Sequence, residues 1–220
     1  MSERSSRTRL SRDRVIAGAV DLADRIGVDA LTIRRLADHL GVKPMSIYHH
    51  VASKEEIIDG MVDVVFAEID LPSADADWRT AIRSRCVSAR AALVRHPWAP
   101  PLMDSRTNPG PASLRQHDAV IGCLLGGGLS FALAAHAYAI LDSFVYGFTL
   151  QQASMPATGG EDLASLATDI VEALPRDEYP NFAAFVANVA LQPGYEFAAS
   201  FEFGLELILD GLEAARVNAG

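Results

Sequence analysis

The most constraining feature of this 220-residue chain is the stretch from Leu31 to Lys54, because it predicts two short helices joined by a tight turn. Thr32 can cap the first helix, and Gly41 can end it in the left-handed conformation that favours glycine. Pro44 suits the first turn of the second helix, which we predict to run to His50. In the first helix, apolar residues recur at the 3,4,3 spacing of one buried face: Ile33, Leu36, Ala37 and Leu40.

The predicted second helix has a polar and aromatic outer face. Ser46, Tyr48 and His50 offer hydrogen-bonding groups and flat rings, whereas Ile47 and Val51 are expected to turn toward the core. Such side chains suit the reading of base edges in the major groove of DNA. The pattern therefore favours a helix-turn-helix, and the alternative is a helical hairpin in another kind of all-α protein.

A third helix is predicted to follow at once. Ser53 has Glu56 three positions later, which is the spacing of a capping box. Lys54 then lies in the first turn of that helix, where a phosphate group is electrostatically favoured. We expect this helix to continue to about Leu71, and we expect an earlier helix, capped by Ser11 and ended by Gly27, to brace the two reading helices.

The segment resembles the DNA-binding domain of the tetracycline-repressor (TetR) family of bacterial transcription regulators. The residues that carry the resemblance are Leu31, Thr32, Arg34, Leu36, Ala37, Leu40, Gly41, Val42, Ser46, Tyr48, His50, Val51 and Lys54. The likeness extends to YGFTLQQ, from residue 146, and to FEFGLELILDGLE, from residue 201. It implies an all-α protein with an N-terminal three-helix DNA-binding domain (1–56, including a basic arm at 1–10) and a larger C-terminal helical domain for ligand binding and dimerisation (57–220).

The resemblance and the outer-face chemistry together give candidate contacts to a double-stranded DNA operator. We expect Arg34, Ser46, Tyr48 and His50 to contact bases or nearby phosphates, and Thr32, Lys43 and Lys54 to contact the backbone. Pro44 and His49 complete the DNA-binding set, and both differ from the pattern of the family's drug repressors. The operator should differ accordingly.

The charge of the chain is unevenly distributed. Residues 1–54 hold ten Lys and Arg against six Asp and Glu, although the whole chain has 19 against 28 and a net charge of −9. A basic end on an acidic body fits DNA contact at that end. The two cysteines form no CxxC motif and the first residues lack an apolar signal core, so we expect a cytoplasmic protein.

The C-terminal part is predicted to bind a small, mostly apolar effector. Its long apolar helix, about 130–152, and a proline-broken segment after His96, in which Trp98 and Met103 are expected to be exposed, supply the candidates. The ligand-binding candidates are Arg85, Trp98, Leu102, Met103, His117, Val120, Phe144, Phe148 and Gln151. The alternative is that the aromatic residues only fill a core, and a regulator controlled by a protein partner or by no ligand remains open.

No cofactor or metal is expected. Family members that bind a magnesium–drug chelate use a histidine and a glutamate, and Met103 and Gln151 stand at the matching places, where they form a poor pair for magnesium. A helical enzyme is a further alternative, but we find no nucleophile, base or metal motif. A glycine triplet at 126–128 lacks the spacing of a phosphate cradle.

A homodimer is expected from the resemblance and from apolar stripes wider than one subunit can bury. The last helix, predicted from Gly194 to about Val217, supplies the candidate interface residues: Phe197, Phe201, Gly204, Leu205, Ile208 and Leu212. The helix at 130–152 is also long enough to span a membrane, but His136, Asp142 and several alanines make it a poor span, so no membrane partner is expected.

Overall fold

The computed structural model describes residues 9–175 and 177–218, and this part of the chain is all-α, as predicted. Residues 1–8, which hold most of the expected basic arm, lie outside the described residues. The chain divides into two compact units, residues 1–138 and 139–220. The expected domain boundary after residue 56 stays a prediction.

The first unit contains the helices up to the beginning of α8. They are α1 (Arg12–Ile26), α2 (Ile33–Leu40), α3 (Pro44–Ile47), α4 (Lys54–Ala67), α5 (Trp78–Arg95), α6 (Pro100–Met103), α7 (Pro111–Gly126) and the start of α8 (Phe131–Ser154). The second unit contains the rest of α8, α9 (Gly160–Ala173), α10 (Pro180–Phe185), a π-helical turn (Val186–Ala190) and α11 (Ala199–Asn218).

Side-chain caps explain where the N-terminal helices begin. The hydroxyl oxygens of Ser11, Thr32 and Ser53 accept hydrogen bonds from backbone N–H groups three residues later, at 3.1 to 3.2 Å. Each bond satisfies one of the N–H groups that a helix start leaves without a partner. The predicted starts of α1, α2 and α4 are thereby confirmed.

Two glycines allow α1 to pack closely on its neighbours. A Cβ atom added at Gly18 would stand 2.6 Å from Leu40 Cδ2, and one added at Gly60 would stand 2.6 Å from Ile16 Cδ1. These contacts bring α1 against α2 and α4 around a shared apolar core. The buried residues of that core include Val15, Ile16, Ala19, Leu36, Ala37, Ile47, Val51, Ile57 and Met61.

Two predicted helix ends were wrong. The second reading helix ends at Ile47 rather than His50, because the chain tightens and the His50 N–H donates to Ile47 O at 2.9 Å. The next helix, α4, ends at Ala67 rather than near Leu71, because the N–H of Ile69 turns back to Phe66 O at 3.2 Å. Bonds that span three residues instead of four close a helix more tightly than the α form allows.

The start of α11 was also predicted too early. Gly194 has a φ of +81°, outside the helical region, and the N–H of Phe197 donates to Thr158 O at 2.8 Å. The segment before Ala199 therefore forms a turn that is hydrogen-bonded to the residues just before α9. The helix begins once that turn is complete.

Aromatic rings join α8 to α11 and to the turn before α11 in the second unit. The rings of Phe144 and Phe201 stack with centroids 5.2 Å apart, and those of Phe148 and Phe197 stack at 4.7 Å. Gly204 makes this possible, since a Cβ there would stand 2.7 Å from Phe144 Cζ. A smaller cluster of Ala167, Val171 and Val186 joins α9 to the π-helical turn.

Helix α8 is long and apolar enough, by length and composition alone, to cross a membrane. Its buried residues include Ala134, Ala137, Leu141 and Val145, which recur at the spacing of one helical face. This face of α8 is covered within the chain, and 33% of the most apolar stretch of the helix is buried.

Candidate nucleic-acid interface

The turn between α2 and α3 has the geometry that the sequence predicted. Gly41 adopts the left-handed conformation, with φ +68° and ψ +35°, and the Val42 N–H donates to Ala37 O at 2.9 Å. Lys43 is extended, and Pro44 occupies the first turn of α3. Two consecutive helices thus meet at a tight corner, which is the core of a helix-turn-helix.

The residues of α3 and the following turn separate into an inner and an outer face. Ile47 is completely buried and Val51 is 3% exposed, so they anchor the segment to the core. Met45 and Tyr48 are 70% and 44% exposed, and His49 is exposed beside them. Apolar and aromatic side chains left in solvent here form a surface that is available to a partner.

The remaining predicted DNA contacts lie around this surface. Arg34, Lys43, Pro44 and Lys54 are exposed, whereas Ser46 and His50 are half-buried. Thr32 is exposed, and its hydroxyl oxygen caps α2. The assignment of individual residues to base or phosphate contacts stays a prediction.

Ion pairs fix the helices behind the outer face. His39 Nε2 of α2 lies 2.9 Å from Asp21 Oδ2 of α1, and Arg12 Nε of α1 donates to Glu56 Oε1 of α4 at 3.0 Å. Glu56 Oε2 also accepts from the backbone N–H of Ala52 at 2.7 Å. These two hydrogen bonds, the one from Ala52 foremost, hold the pKa of Glu56 below its ordinary value.

A second set of contacts ties α4 to the chain that follows α6. Arg106 donates to Asp59 Oδ1 at 2.6 Å and to Glu55 Oε2 at 2.8 Å, and these bonds raise the pKa of its guanidinium despite partial burial. One turn further along α4, Asp63 Oδ1 accepts from the N–H of Ser113 at 2.9 Å. Three carboxylates at four-residue spacing therefore hold the loop before α7 and the first turn of α7 itself.

A cavity of about 160 Å³ lies within the first unit beside these contacts. Of the predicted ligand-binding residues, Met103 and His117 both line it, together with Asp59, Asp63 and Arg106. The imidazole of His117 hydrogen-bonds to Ser113 Oγ at 3.3 Å and to the hydroxyl of Tyr138. The cavity wall is more polar than the sequence suggested.

The other ligand-binding candidates lie elsewhere. Arg85 and Val120 are buried, Leu102 is half-buried and Gln151 is exposed. Phe144 and Phe148 belong to the aromatic stack with α11, which matches the alternative that they fill a core. Trp98 and Met103, expected to be exposed, are buried at 6% and 4% exposure. That expectation was wrong, although the ligand assignments themselves stay predictions.

Sequence reasoning missed the role of His96 and Trp98. Trp98 Nε1 donates to Asp24 Oδ1 of α1 at 2.6 Å, and His96 Nδ1 lies 2.8 Å from the same oxygen. Arg106 was missed as well. A carboxylate series on α4 (Glu55, Asp59, Asp63) was the available signal for a cationic partner, but nothing local in sequence indicated which cation would bind it.

The fold and this site together define a helix-turn-helix DNA-binding protein. Residues 15–61 match the family described as bacterial regulatory proteins, tetR family, and residues 71–216 match the tetracyclin repressor-like C-terminal domain. The chain belongs to the TetR family and is a DNA-binding transcriptional regulator.

Individual relatives are similar over nearly the whole chain. An HTH-type transcriptional regulator of Saccharopolyspora erythraea is 31% identical over 215 residues, which cover 96% of this chain and 89% of the relative. The HTH-type transcriptional repressor DrrR1 of Streptomyces coeruleorubidus is 31% identical over 219 residues, covering 96% and 80%. Both relatives are regulators of transcription.

Solved structures agree with the sequence comparison. The structure of the Streptomyces coelicolor TetR family protein ActR in complex with actinorhodin has a TM-score of 0.77 to this chain, with 29% sequence identity. The match covers 95% of this chain and 99% of ActR. The similarity therefore includes the C-terminal helices as well as the DNA-binding helices.

Proposed function

We propose that the protein is a cytoplasmic, homodimeric repressor that binds a palindromic operator and leaves it when a small, mostly apolar effector binds its C-terminal part. The observation that carries the DNA-binding part is the division of α3 and the next turn into a buried face, Ile47 and Val51, and an exposed face, Tyr48 and His49. The buried face fixes the segment, and the exposed face is free to enter a major groove.

Lys54 supports the same orientation. It is exposed in the first turn of α4, whose N-cap Ser53 follows the outer face within a few residues. A lysine at a helix N-terminus adds its charge to that of the free N–H groups, and both favour a phosphate. The proposed reading surface and the proposed DNA phosphate contact of Lys54 are thus neighbours along the chain.

Exposed apolar side chains on α8 and α11 support the dimer. Three of the expected interface residues, Phe201, Leu205 and Leu212, are buried within the chain itself, so they are poor candidates for direct contact with a partner. On the same helix Phe203 and Leu207 are 69% and 57% exposed, and on α8 Ile140 and Leu150 are 48% and 47% exposed. We assign the interface to these residues, because such large exposed side chains are costly in a monomer.

Glycines on the same faces would let two copies approach closely. Gly147 of α8 and Gly211 of α11 are exposed, and a Cβ at either would meet nothing within 4 Å. Helices that carry small residues at their contact can pack at short axial distances. Two helices from each copy would then form a four-helix bundle.

The effector part of the proposal draws on ActR, whose structure holds actinorhodin. In this chain Met103 and His117 line one cavity, so an effector there would meet a thioether and an imidazole as well as the carboxylates of Asp59 and Asp63. The charged part of this wall requires polar groups on the effector, and its apolar part would contact Val62, Met103 and Pro109. Control by a protein partner is the alternative, and it predicts no stabilisation by small molecules.

Selection of bound duplexes from a random DNA pool tests the proposal. We expect an inverted repeat whose half-sites are about one helical turn apart, because each subunit of a two-fold dimer places one helix in successive major grooves. Recovery of an unrepeated site, or of no site, would contradict the proposal. Thermal-shift measurements with single-ring aromatic molecules, which suit a cavity of about 160 Å³, and then with larger polycyclic aromatics such as actinorhodin, distinguish effector control from control by a partner protein.

A further inference from the structure

The imidazole of His96 connects two helices of the first unit. Its Nδ1 lies 2.8 Å from Asp24 Oδ1 in the last turn of α1, and its Nε2 lies 3.2 Å from Glu68 Oε2, just after α4. The side chain is only 7% exposed, whereas the two carboxylates are about a third exposed. His96 itself directly follows α5. One ring thus touches the ends of α1, α4 and α5.

Two further side chains, Arg95 and Trp98, contact the carboxylates that face His96. Arg95 of α5 donates to Glu68 Oε2 from Nη2 at 2.6 Å and from Nε at 3.2 Å. Trp98 donates to the same Asp24 oxygen as His96, and the two rings lie 5.8 Å apart. Burial alone would raise the pKa of Glu68, but the hydrogen bonds from Arg95 and His96 outweigh it and lower the pKa.

The two carboxylate partners of His96 determine which of its ring nitrogens must donate a hydrogen bond. An ionised carboxylate only accepts hydrogen bonds, so each ring nitrogen must be a donor for both contacts to be favourable. A neutral imidazole has one N–H, and the lone pair of its second nitrogen would face a negatively charged oxygen. The imidazolium form has two N–H groups and satisfies both carboxylates.

We propose that His96 is a positioning residue for DNA binding. The imidazolium form of His96 bridges Asp24 and Glu68, and the neutral imidazole keeps its hydrogen bond to only one of these two carboxylates. Operator affinity should therefore rise as the pH falls. The proposal rests on the proposed function, since α1 contacts the first reading helix, α2, through Asp21 and His39, and contacts α4 through Arg12 and Glu56. A bridge that holds α1 in one orientation reduces the conformational entropy that the protein loses when the reading helices bind DNA.

A measurement without DNA tests the bridge itself. The side-chain nitrogens of His96 are followed by ¹⁵N NMR from pH 5.5 to 8.5 in the full chain. We expect two protonated nitrogens at the acidic end and one at the basic end, with the indole N–H signal of Trp98 moving in the same transition. A single protonation state of His96 over the whole range, or a Trp98 signal that does not respond, would overturn the proposal.

A second measurement tests the link to DNA. Affinity for the duplex recovered by selection is compared at pH 6 and pH 8 for the wild type, His96→Gln and Asp24→Asn. His136→Gln, exposed on α8, serves as the control. His39, His49 and His50 are present in every protein, so the comparison reports only the effect of the substituted residue.

We expect the acid-dependent gain in affinity to be about fivefold larger in the wild type and in His136→Gln than in the other two variants. Equal gains in the wild type and His96→Gln would overturn the proposal. Circular dichroism at both pH values confirms that each variant is folded. If no duplex is recovered, the proposed function fails, while the NMR titration still decides whether the bridge exists.

Discussion

Gly127 lies directly against Trp78. A Cβ added at Gly127 would stand 2.4 Å from Trp78 Cγ and 2.5 Å from Trp78 Cβ. These atoms are close to the backbone of α5 and cannot move aside as the end of a flexible side chain could. The glycine triplet at the end of α7 therefore serves close packing: Gly126 is the last residue of the helix, Gly127 leaves room for the Trp78 side chain, and Gly128 takes a φ of +85°.

The first prediction concerns this contact. Gly127→Ala should lower the free energy of unfolding by about 1–3 kcal/mol, because an added carbon in a filled space forces its neighbours apart. Gly126→Ala is the matched control, since a Cβ there meets nothing within 4 Å and alanine favours the helix. Urea denaturation of both variants measures the difference. Equal stability of the two would refute the assigned contact.

The second prediction concerns the exposed ring on the reading surface. Tyr48→Ala should weaken operator binding by about 1–3 kcal/mol and leave the unfolding free energy nearly unchanged, because the ring is 44% exposed. Gel-shift titration with the selected duplex measures the affinity. Ile47→Ala should instead destabilise the protein, since Ile47 is completely buried. Unaltered affinity in Tyr48→Ala would show that the recognition surface lies elsewhere.

The third prediction concerns Lys54. If this side chain neutralises a phosphate, Lys54→Ala should weaken specific and non-specific DNA binding alike and reduce the slope of log affinity against log salt by about one unit. Binding is measured between 50 and 200 mM salt, as is usual for such slopes. A variant with the wild-type slope would exclude a phosphate contact at this position.

The fourth prediction concerns the dimer. Leu207→Glu should raise the dimer dissociation constant at least about a hundredfold, because it would place an unpaired carboxylate in the assigned interface. Leu114→Glu, at a similarly exposed leucine of α7, is the control and should leave the dimer intact. Sedimentation equilibrium gives both constants. A stable Leu207→Glu dimer would remove α11 from the interface as assigned.

The fifth prediction concerns pH and Glu56. The pKa of Glu56 lies below its ordinary value of 4.5, so the ionised side chain stabilises the fold above that pH, and this contribution is lost as the pH falls through the lowered pKa. Glu56→Gln should therefore be less stable than the wild type at neutral pH, and the two should converge in acid. Glu172→Gln, exposed on α9, should show no such difference in denaturation curves.

The parts of the fold that were predictable from the sequence depend on short-range interactions. Ser11, Thr32 and Ser53 cap helices through bonds that span three residues, and Gly41 ends one through its own backbone conformation. These interactions leave a local pattern in the sequence. The starts of three helices and the corner between α2 and α3 could be predicted for this reason.

The parts that were not predictable depend on partners far away in the sequence. Trp98 is buried because Asp24, 74 residues earlier, accepts its indole N–H. Phe201 faces the interior because the rings of Phe144 and Phe148 of α8 pack against it, a choice that apolar periodicity alone does not make. A stripe of apolar residues shows that a helix face is covered, but it does not show what covers it.

The separation of residues 44–51 into a buried face and an exposed face has an evolutionary consequence. Ile47 and Val51 hold the segment in place from inside, so Met45, Tyr48 and His49 are under little pressure from packing. Substitutions at these outward positions can alter which DNA sequence is bound at small cost to stability. Descendants of a duplicated gene could therefore acquire separate sets of target promoters while retaining the same folded scaffold.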